Sequence, residues 1–243
     1  MTDRISVIIP AHNEEEYIAR CLESVRVAER NVPAQVETIV VLNRCTDRTE
    51  SISREFGAVN VHENARNLAR IRNAGIRAST GSVVVTIDAD SRMSGNMLAE
   101  VLRRLATGRY VGGGVRIMSE RMSIGLLFSA MTFAPRLLLE RSWAGMFWTL
   151  REYFDALGGF DESFMSAEDV DFARRLRAYG RARGLRYGMI LRAYIVTSCR
   201  KFDLFGDWYL FRNRRLVTRI LGGHDQEAAD HFYYDHRRTE QKE

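Results

Sequence analysis

The first 110 residues alternate short apolar runs with amphipathic segments, and no other feature of the sequence constrains the fold as strongly. The apolar runs are rich in β-branched residues and predict buried strands at residues 5–9, 36–42 and 82–87, and residues 60–62 are a candidate for a short strand between the last two. The segments between and after the strands predict four helices. The first begins after residue 13, the second follows residues 43–47 and ends at about residue 56, and the others span residues 67–78 and 98–105. Strands that alternate with helices form a parallel sheet covered on both faces, so the sequence predicts an α/β fold.

Polar loops follow three of the four predicted strands. They contain His12, Asn13 and Glu14 after the first strand, residues 43–47 after the second and residues 88–90 after the fourth. Ligands of open α/β sheets bind beyond the carboxyl ends of the strands, where these loops converge. The topology therefore predicts the functional site at this edge. Asn13 is also expected to cap the following helix, because asparagine accepts hydrogen bonds from the first N–H groups of a helix.

The second half of the chain is less regular. Three glycines at residues 112–114 predict a close approach of the backbone to another group. A late edge strand is predicted over residues 190–196, after a helix over residues 169–179. Because no linker or repeat separates the two halves, we expect a single domain over residues 1–243.

Composition and cysteine usage exclude several classes of protein. With 46% hydrophobic and 28% charged residues, the chain is neither intrinsically disordered nor fibrous. Its three widely spaced cysteines match no disulfide scaffold or zinc motif and favour a reducing, cytoplasmic compartment. No signal peptide is expected, since the chain starts at Met1 and runs directly into a strand. The apolar residues 124–139 are too few to cross a bilayer and predict a buried helix, with an interfacial helix as the alternative.

Positive charge is concentrated in the second half of the chain. The segment from Arg174 to Arg219 has 13 Lys or Arg residues and two Asp residues, whereas the whole chain has a formal net charge of +5. This asymmetry fits an anionic partner such as a phosphate, a nucleic acid or a membrane surface. A solvated helix face explains it equally well.

Two aspartates with a single residue between them directly follow the fourth predicted strand. Asp88 and Asp90 flank Ala89 directly after this buried run. Such a pair can bind a hard divalent cation, Mg²⁺ or Mn²⁺, that bridges to a substrate phosphate. The alternative is a pair of turn residues, because aspartate is common in turns. The position directly after a buried strand favours the metal interpretation.

A second acidic cluster and an arginine complete the candidates. Glu168, Asp169 and Asp171 lie at the start of a predicted helix, where the macrodipole favours acids. Three acids within four positions exceed what capping needs, and a carboxylate there can act as a general base. Arg200 follows the late strand and offers a planar fork for phosphate oxygens. Taken alone, an ordinary surface arginine is the simpler interpretation.

These segments together resemble the family 2 glycosyltransferases, nucleotide-diphospho-sugar transferases with the GT-A fold. The matching motifs occur in the family's order over residues 4–180: SVIIPAHNEE at 6–15, TDRT at 46–49, RNAGIRASTG at 72–81, DAD at 88–90, GGFDE at 158–162 and EDVD at 168–171. The resemblance implies a Rossmann-like, mixed and mostly parallel sheet. It also implies a nucleotide-sugar-binding half at residues 1–110, an acceptor and catalytic half at residues 111–200 and a C-terminal helical tail at residues 201–243.

The resemblance implies inverting, metal-dependent transfer of a sugar from a nucleotide-diphospho-sugar to an acceptor hydroxyl. Asp169 would be the catalytic base, supported by Glu168 and Asp171. Asp90 and Asp88 would hold Mn²⁺ or Mg²⁺. The nucleotide sugar would be bound by Pro10, His12, Asn13, Glu14, Asn43, Arg70, Asp88, Ala89 and Arg200.

One departure from the family pattern concerns the nucleotide base. Many members carry an aspartate where this chain has Asn43, whose amide has both donor and acceptor groups. UDP is therefore the default donor nucleotide, and GDP and dTDP stay open.

The acceptor would be a glycan or a lipid-linked molecule. Trp143, Phe147, Trp148 and Tyr153 are candidates for stacking on it, with the core as the equal alternative. No nucleic acid is expected as a partner. A homodimer and a peripheral contact with the inner face of the membrane both stay open.

Other functions fit the sequence less well. A nucleotidyltransferase needs a glycine-rich, basic loop after the first strand, whereas residues 11–16 are acidic. A non-enzymatic module that binds nucleic acid or a membrane would leave Asp88, Asp90 and Asp169 unexplained. A dinucleotide-dependent oxidoreductase would carry Gly-x-Gly-x-x-Gly after the first strand, and this motif is absent. The histidines near the C-terminus are expected in a solvated tail, with a metal role as the alternative: His224, His231 and His236.

Overall fold

The computed structural model describes residues 4–129, 131 and 145–225. The strands in this part of the chain are β1 Arg4–Ala11, β2 Gln35–Leu42, β3 Val59–His62, β4 Val83–Ile87, β5 Ser91–Met93, β6 Tyr110–Ser119, β7 Met146–Leu150 and β8 Arg186–Thr197. The helices are α1 Ile18–Glu29, α2 Thr49–Glu55, α3 Leu68–Ala78, α4 Met97–Leu105, α5 Arg151–Ala156, α6 Glu168–Arg181, α7 Arg200–Phe205, α8 Tyr209–Arg212 and α9 Arg214–Gly222. Residues 124–129 form a further helical segment.

The described strands form one sheet of eight strands in the order β3-β2-β1-β4-β7-β6-β8-β5. β1 pairs in parallel with β2 and with β4, and β2 pairs in parallel with β3. β6 and β8 are also parallel. β7 is antiparallel to both of its neighbours, and β5 is antiparallel to β8. The predicted mixed, mostly parallel sheet is therefore confirmed.

Helices cover both faces of the sheet because side chains alternate along each strand. On β1, Ile5, Val7 and Ile9 pack with residues of α1 and α4, whereas Ile8 packs with residues of α3 and α6 on the other face. All four side chains are completely buried. The continuous apolar runs in the sequence therefore correspond to strands that are buried on both faces.

A buried tryptophan explains the glycine run in β6. The indole Nε1–H of Trp148 donates to the carbonyl of Gly114 at 3.1 Å. A Cβ atom on Gly188 of β8 would lie 3.1 Å from the same ring, and one on Gly113 would lie 1.8 Å from the Gly188 carbonyl oxygen. The close backbone approach predicted from these glycines is confirmed, and it makes room for the largest side chain of the core.

Two local predictions are wrong. Helix α1 begins at Ile18, and Asn13 does not cap it. Instead, Asn13 has a φ of 50°, and its Oδ1 accepts a hydrogen bond from the Thr46 backbone N–H at 2.8 Å, so this side chain connects two loops. The strand predicted at residues 190–196 is also not an edge strand, because its last residues pair with β6 on one side and β5 on the other.

The segments on which the membrane and domain predictions rest are only partly described by the structure. Within them, no helix is both long and apolar enough to cross a membrane. Of the apolar stretch at 124–139, residues 130 and 132–139 lie outside the described part. The predicted helical tail contains α8 and α9, and residues 226–243 lie outside the described part. The division of the chain into halves and a tail stays a prediction.

A hydrogen-bonded carboxylate at the amino edge of the sheet gives a test of the fold. Glu37 on β2 accepts hydrogen bonds from the Ser6 hydroxyl at 2.6 Å and from the backbone N–H groups of Thr80 at 2.5 Å and Gly81 at 2.8 Å. Burial raises the pKa of Glu37, but these hydrogen bonds outweigh burial and the pKa lies below its usual value. The ionised carboxylate therefore stabilises the folded state above the pKa of the unfolded chain, and this stabilisation is lost as the pH falls through the folded-state pKa.

We expect Glu37→Gln to lower the free energy of unfolding by about 1 kcal/mol near neutral pH. Urea unfolding at neutral and at acidic pH should show this difference shrinking as the pH falls through the folded-state pKa, where the wild-type carboxylate also takes up a proton. Glu29→Gln, at an exposed position of α1, is the matched control and should change stability little at either pH. A difference that is the same at both pH values would contradict the role of the ionised carboxylate.

Candidate active site

Loops at the carboxyl edge of the sheet surround one cleft. The loops after β1, β2 and β4 meet there with the start of α3, the segment before α6 and the first residue of α7. The lining residues are Pro10, Ala11, His12, Glu14, Asn43, Leu68, Ile71, Asp88, Ala89, Asp90, Met165, Glu168 and Arg200. The convergence predicted from topology is therefore present.

A buried arginine connects the two acidic clusters. Arg72 on α3 donates from Nη2 to Asp88 Oδ1 at 2.9 Å and from Nη1 to the Glu168 carboxylate. Burial lowers the pKa of the Arg72 guanidinium, but the two carboxylates outweigh burial and keep it above its usual value. The arginine is therefore cationic and joins the end of β4 to the start of α6.

The acids at the start of α6 lie in a poorly solvated environment. Burial raises the pKa of Glu168 to about 7, opposed by the nearby Arg72. Burial also raises the pKa of Asp169. The positive charge of Arg72 opposes this rise, and the negative charge of Asp88 adds to it. Asp169 Oδ1 accepts a hydrogen bond from the Val170 N–H at 2.8 Å. A carboxylate with a raised pKa is a stronger proton acceptor, which suits a general base.

A second ion-pair group closes the other side of the cleft. Arg200 makes two hydrogen bonds to the Glu14 carboxylate, at 2.5 and 2.8 Å, and its Nη2 lies 3.2 Å from Asp90 Oδ2. The Ser198 hydroxyl donates to the same Asp90 oxygen at 3.0 Å. The Arg200 guanidinium also lies over the Tyr17 ring, 5.0 Å from its centre. These contacts hold a late residue against the first loop, with its positive charge beside Asp90.

Asn43 supports the cleft through its side-chain amide. Its Nδ2 donates to the backbone carbonyls of Glu63 at 2.5 Å and Ala65 at 2.8 Å. Its Oδ1 accepts from the Arg44 guanidinium at 3.2 and 3.3 Å, and its carbonyl accepts from His12 Nδ1 at 2.5 Å. The donor group of Asn43 is thus engaged with the protein itself, and the side chain fixes the loop that follows β2.

Four of the predicted site residues are not among those that line the cleft. Arg70 pairs with Glu63 at 3.3 Å, and Asn13 connects two loops as described above. Asp169 follows the lining residue Glu168. Asp171 is buried and pairs with Arg174 at 2.8 Å and with Arg175 at 2.6 Å. Roles of these four residues in binding or catalysis stay predictions.

The aromatic candidates for acceptor stacking are mostly core residues. Phe147 and Trp148 are buried in β7 on opposite faces of the sheet, so neither can stack on a ligand in the cleft, and this interpretation is wrong for both. Tyr153 packs against Tyr179, with ring centres 5.7 Å apart. The fourth candidate, Trp143, lies outside the described residues.

The histidines of the predicted tail are only partly described. The ring of His224 lies 4.5 Å from the ring of Phe164. His231 and His236 lie outside the described residues. In the part of the chain that the structure covers, no group of three or more His, Cys, Asp or Glu residues could hold a metal ion.

Sequence reasoning missed Arg72 and Met165 as site residues. The signal for Arg72 is present in the helical spacing of α3, where residues 69, 72, 73 and 76 share the buried side. An arginine on the buried side of a helix requires carboxylate partners, which predicts an ion pair near the site. Nothing in the local sequence around Met165 indicates that it lines a cleft.

A family model for glycosyl transferase family 2 matches residues 6–160. The chain belongs to this family. Two curated relatives are glycosyltransferase AglE of Haloferax volcanii and the uncharacterized glycosyltransferase Rv0539 of Mycobacterium tuberculosis. AglE is 32% identical over 92 residues, which are 35% of this chain and 30% of the relative. Rv0539 is 31% identical over 114 residues, which are 47% of this chain and 49% of the relative. The chain thus matches at most about half the length of these family 2 relatives.

Solved structures of other glycosyltransferases have the same fold. Mannosyltransferase PcManGT from Pyrobaculum calidifontis, in complex with GDP-Man and Mn²⁺, has a TM-score of 0.67 at 24% identity, covering 92% of this chain and 63% of its own. Glucosyl-3-phosphoglycerate synthase from Mycobacterium tuberculosis, in complex with Mn²⁺, UDP and glucosyl-3-phosphoglycerate, has a TM-score of 0.62 at 21% identity, and the match covers 89% of this chain and 78% of the synthase chain. TarS 1-349 of S. aureus with UDP-GlcNAc has a TM-score of 0.64 at 17% identity, and the match covers 94% of this chain and 70% of the TarS chain. The predicted GT-A fold of this family 2 chain is confirmed.

The buried arginine gives a direct test of how the site is built. We expect Arg72→Met to lower the free energy of unfolding by about 3–5 kcal/mol, because it leaves Glu168 buried without its cation. Urea unfolding measures the loss. Arg72→Met combined with Glu168→Met should recover most of it, because the uncompensated charge is then gone.

Arg54→Met is the matched control for this test. Arg54 pairs with Glu50 at 2.7 Å on the surface of α2, where a salt bridge contributes about 1 kcal/mol or less. An Arg72→Met variant as stable as Arg54→Met would contradict the bridging role of Arg72. So would a double variant that is less stable than Arg72→Met alone.

Proposed function

We propose that the chain is an inverting, metal-dependent glycosyltransferase that moves a sugar from a nucleotide-diphospho-sugar to an acceptor hydroxyl. The observation that carries the proposal is the Arg72 bridge, which holds Asp88 and Glu168 on one cleft at the carboxyl edge of the sheet. The bridge places Glu168, the neighbour of the proposed base Asp169, close to the carboxylates proposed for the metal–diphosphate group, which supports a single site. Membership of family 2 supports the same reaction.

The donor would lie along the loops that follow β1, β2 and β4. Pro10, His12, Glu14 and Asn43 line the part of the cleft suited to the base and ribose, and Ala89 lies between the two aspartates. Related structures contain UDP-GlcNAc in TarS and GDP-Man in PcManGT, so both uridine and guanosine donors occur on this fold. UDP is the first donor to test, followed by GDP and dTDP.

The two aspartates fit a divalent cation that the substrate helps to bind. Asp88 and Asp90 line the cleft with hard carboxylate oxygens, and Mg²⁺ commonly takes one or two protein carboxylates together with substrate phosphates. When bound, Mn²⁺ or Mg²⁺ would stabilise the charge that develops on the leaving diphosphate. Arg200, next to Asp90, would add a second positive charge for the same oxygens.

Asp169 would accept the proton of the acceptor hydroxyl. Its raised pKa makes it a better proton acceptor than an ordinary aspartate, and its position at the start of α6 places it beside Glu168. Glu168 and Asp171 would hold this helix start through Arg72 and Arg175. Attack in a single step from the side opposite the leaving group would invert the anomeric carbon.

The acceptor would be a glycan or a lipid-linked molecule. One relative, undecaprenyl-phosphate 4-deoxy-4-formamido-L-arabinose transferase of Pseudomonas paraeruginosa, is 29% identical over 122 residues, 47% of this chain and 36% of the relative. Its name supports a lipid-linked acceptor for this chain. A cytoplasmic location belongs to the same proposal and rests on sequence alone, whereas a homodimer stays open.

The role of Asp169 is tested by Asp169→Asn, which keeps the shape of the side chain and removes its basicity. We expect transfer from the preferred nucleotide sugar to fall by about 10²–10⁴-fold, while the Kd of the nucleoside diphosphate stays within about twofold of wild type. Product formation and calorimetry measure the two quantities separately.

Asp155→Asn, at an exposed position of α5, is the control and should leave both quantities unchanged. Retention of full transferase activity in Asp169→Asn would refute the base assignment. Equal losses of activity and nucleotide affinity would assign Asp169 to donor binding instead.

A further inference from the structure

The helical segment at residues 124–129 turns its apolar side outward. Three apolar side chains of this segment and the nearby Met131, which is also helical, are exposed, and we call these four the apolar stripe: Ile124 (70%), Leu127 (52%), Phe128 (38%) and Met131 (56%). Their spacing of three and four residues places them on one side of the helix. A helix on the surface of a globular domain normally has the opposite arrangement, with apolar residues facing the core.

The other side of this segment is fixed to the protein. Ser129 is completely buried, and its hydroxyl donates to the Asp207 carbonyl at 2.6 Å. The Ser123 hydroxyl contacts the Asp207 carboxylate and accepts from the Leu126 N–H at 3.1 Å. A Cβ atom on Gly125 would lie 2.7 Å from Asp207 Cβ, so the helix packs closely at this point. The segment cannot rotate to bury its stripe without breaking these contacts.

A tryptophan extends the stripe towards the C-terminal helices. The ring of Trp208 stacks on Phe128, with ring centres 5.4 Å apart, and 38% of the residue is exposed. Contiguous exposed apolar side chains of this kind mark interaction surfaces. We call the stripe together with Trp208 the apolar face.

Positive charge lies next to the apolar face. Residues 208–222 contain four arginines and no acidic residue. Arg212 and Arg215 are exposed, and Arg212 follows Trp208 by one helical turn, on the same side of α8. Of the acids that flank this segment, Asp203 and Asp207 both pair with Arg121, at 2.6 and 2.7 Å, and Asp225 pairs with Arg219 at 2.5 Å. Arg121 offsets one of the two negative charges of Asp203 and Asp207, and Arg212 and Arg215 are the exposed arginines that face an anionic partner.

We propose that the apolar face and the neighbouring arginines dock this protein on the surface of an anionic lipid bilayer. Apolar side chains would enter the boundary between headgroups and acyl chains, Trp208 would lie at the headgroup level, and Arg212 and Arg215 would pair with lipid phosphates. A symmetric pairing of two copies through this face fits less well, because it would bring the arginines of both copies together.

Docking in this way would place the cleft next to the bilayer. Arg200 lines the cleft, and only seven residues of the chain lie between it and Trp208. A lipid-linked acceptor would then be presented at the mouth of the site. This last consequence rests on the proposed function, whereas the docking surface itself does not.

The test is flotation of the full chain with vesicles of phosphatidylcholine containing about 30% phosphatidylglycerol. We expect the protein to float with these vesicles and not with pure phosphatidylcholine, and to bind more weakly as salt rises from roughly 0.1 to 0.5 M. Ile124→Ser with Leu127→Ser should lower the partition coefficient at least about tenfold. Arg212→Gln with Arg215→Gln should lower it about 25-fold, since each arginine near an anionic surface contributes about fivefold.

The matched control replaces two exposed apolar residues elsewhere. Val59→Ser with Leu191→Ser removes side chains that are 52% and 63% exposed on β3 and β8, and should leave flotation unchanged. Absence of wild-type flotation, or equal loss in the control, would overturn the proposal. So would a concentration-dependent dimer in sedimentation that Ile124→Ser with Leu127→Ser abolishes, because a second copy would then cover the face. Flotation needs no nucleotide sugar, so its failure is distinguishable from failure of the proposed transferase activity.

Discussion

The rest of the site depends on one buried guanidinium with a carboxylate on each side. Arg72 comes from the middle of α3, Asp88 from the end of β4 and Glu168 from the start of α6, so a single side chain fixes three elements. A charge left unpaired at this depth costs several kcal/mol, so none of the three elements can shift alone. The ion pairs therefore set the position of the cleft floor, and the acids of α6 lie beside it because Arg72 holds them there.

Most of the framework could be predicted because it follows from local patterns. Strands buried on both faces appear in the sequence as continuous apolar runs, and turns interrupt these runs at the points where β1, β2 and β4 end. Once the strands are parallel, their carboxyl ends must share an edge. For this reason the positions of His12, Asn43, Asp88 and Asp90 on one cleft followed from topology and family resemblance without knowledge of any contact.

The remaining features depend on contacts between residues that are far apart in the chain. The pairing of Arg200 with Glu14 spans 186 positions, and no local pattern indicates that these two residues face each other. The same holds for Asn13, whose side chain meets the loop after β2 instead of the nearby helix. The sequence around Trp148 is apolar and irregular, which made this residue a candidate for stacking on the acceptor. Strand β7 pairs with β4 and β6 on its two sides, however, and this pairing puts Trp148 in the core. Burial of Arg72, by contrast, does have a usable signal in the spacing of α3.

The most direct test of the account is a calorimetric titration of UDP and of GDP into the protein, once with Mn²⁺ and once with EDTA. We expect one nucleotide to bind at least about tenfold more tightly with Mn²⁺, and Asp90→Asn to remove this difference, because the carboxylate and the diphosphate bind the cation together. Binding that is equally weak with Mn²⁺ and with EDTA for both nucleotides would contradict it. So would a Mn²⁺ effect that Asp90→Asn leaves unchanged.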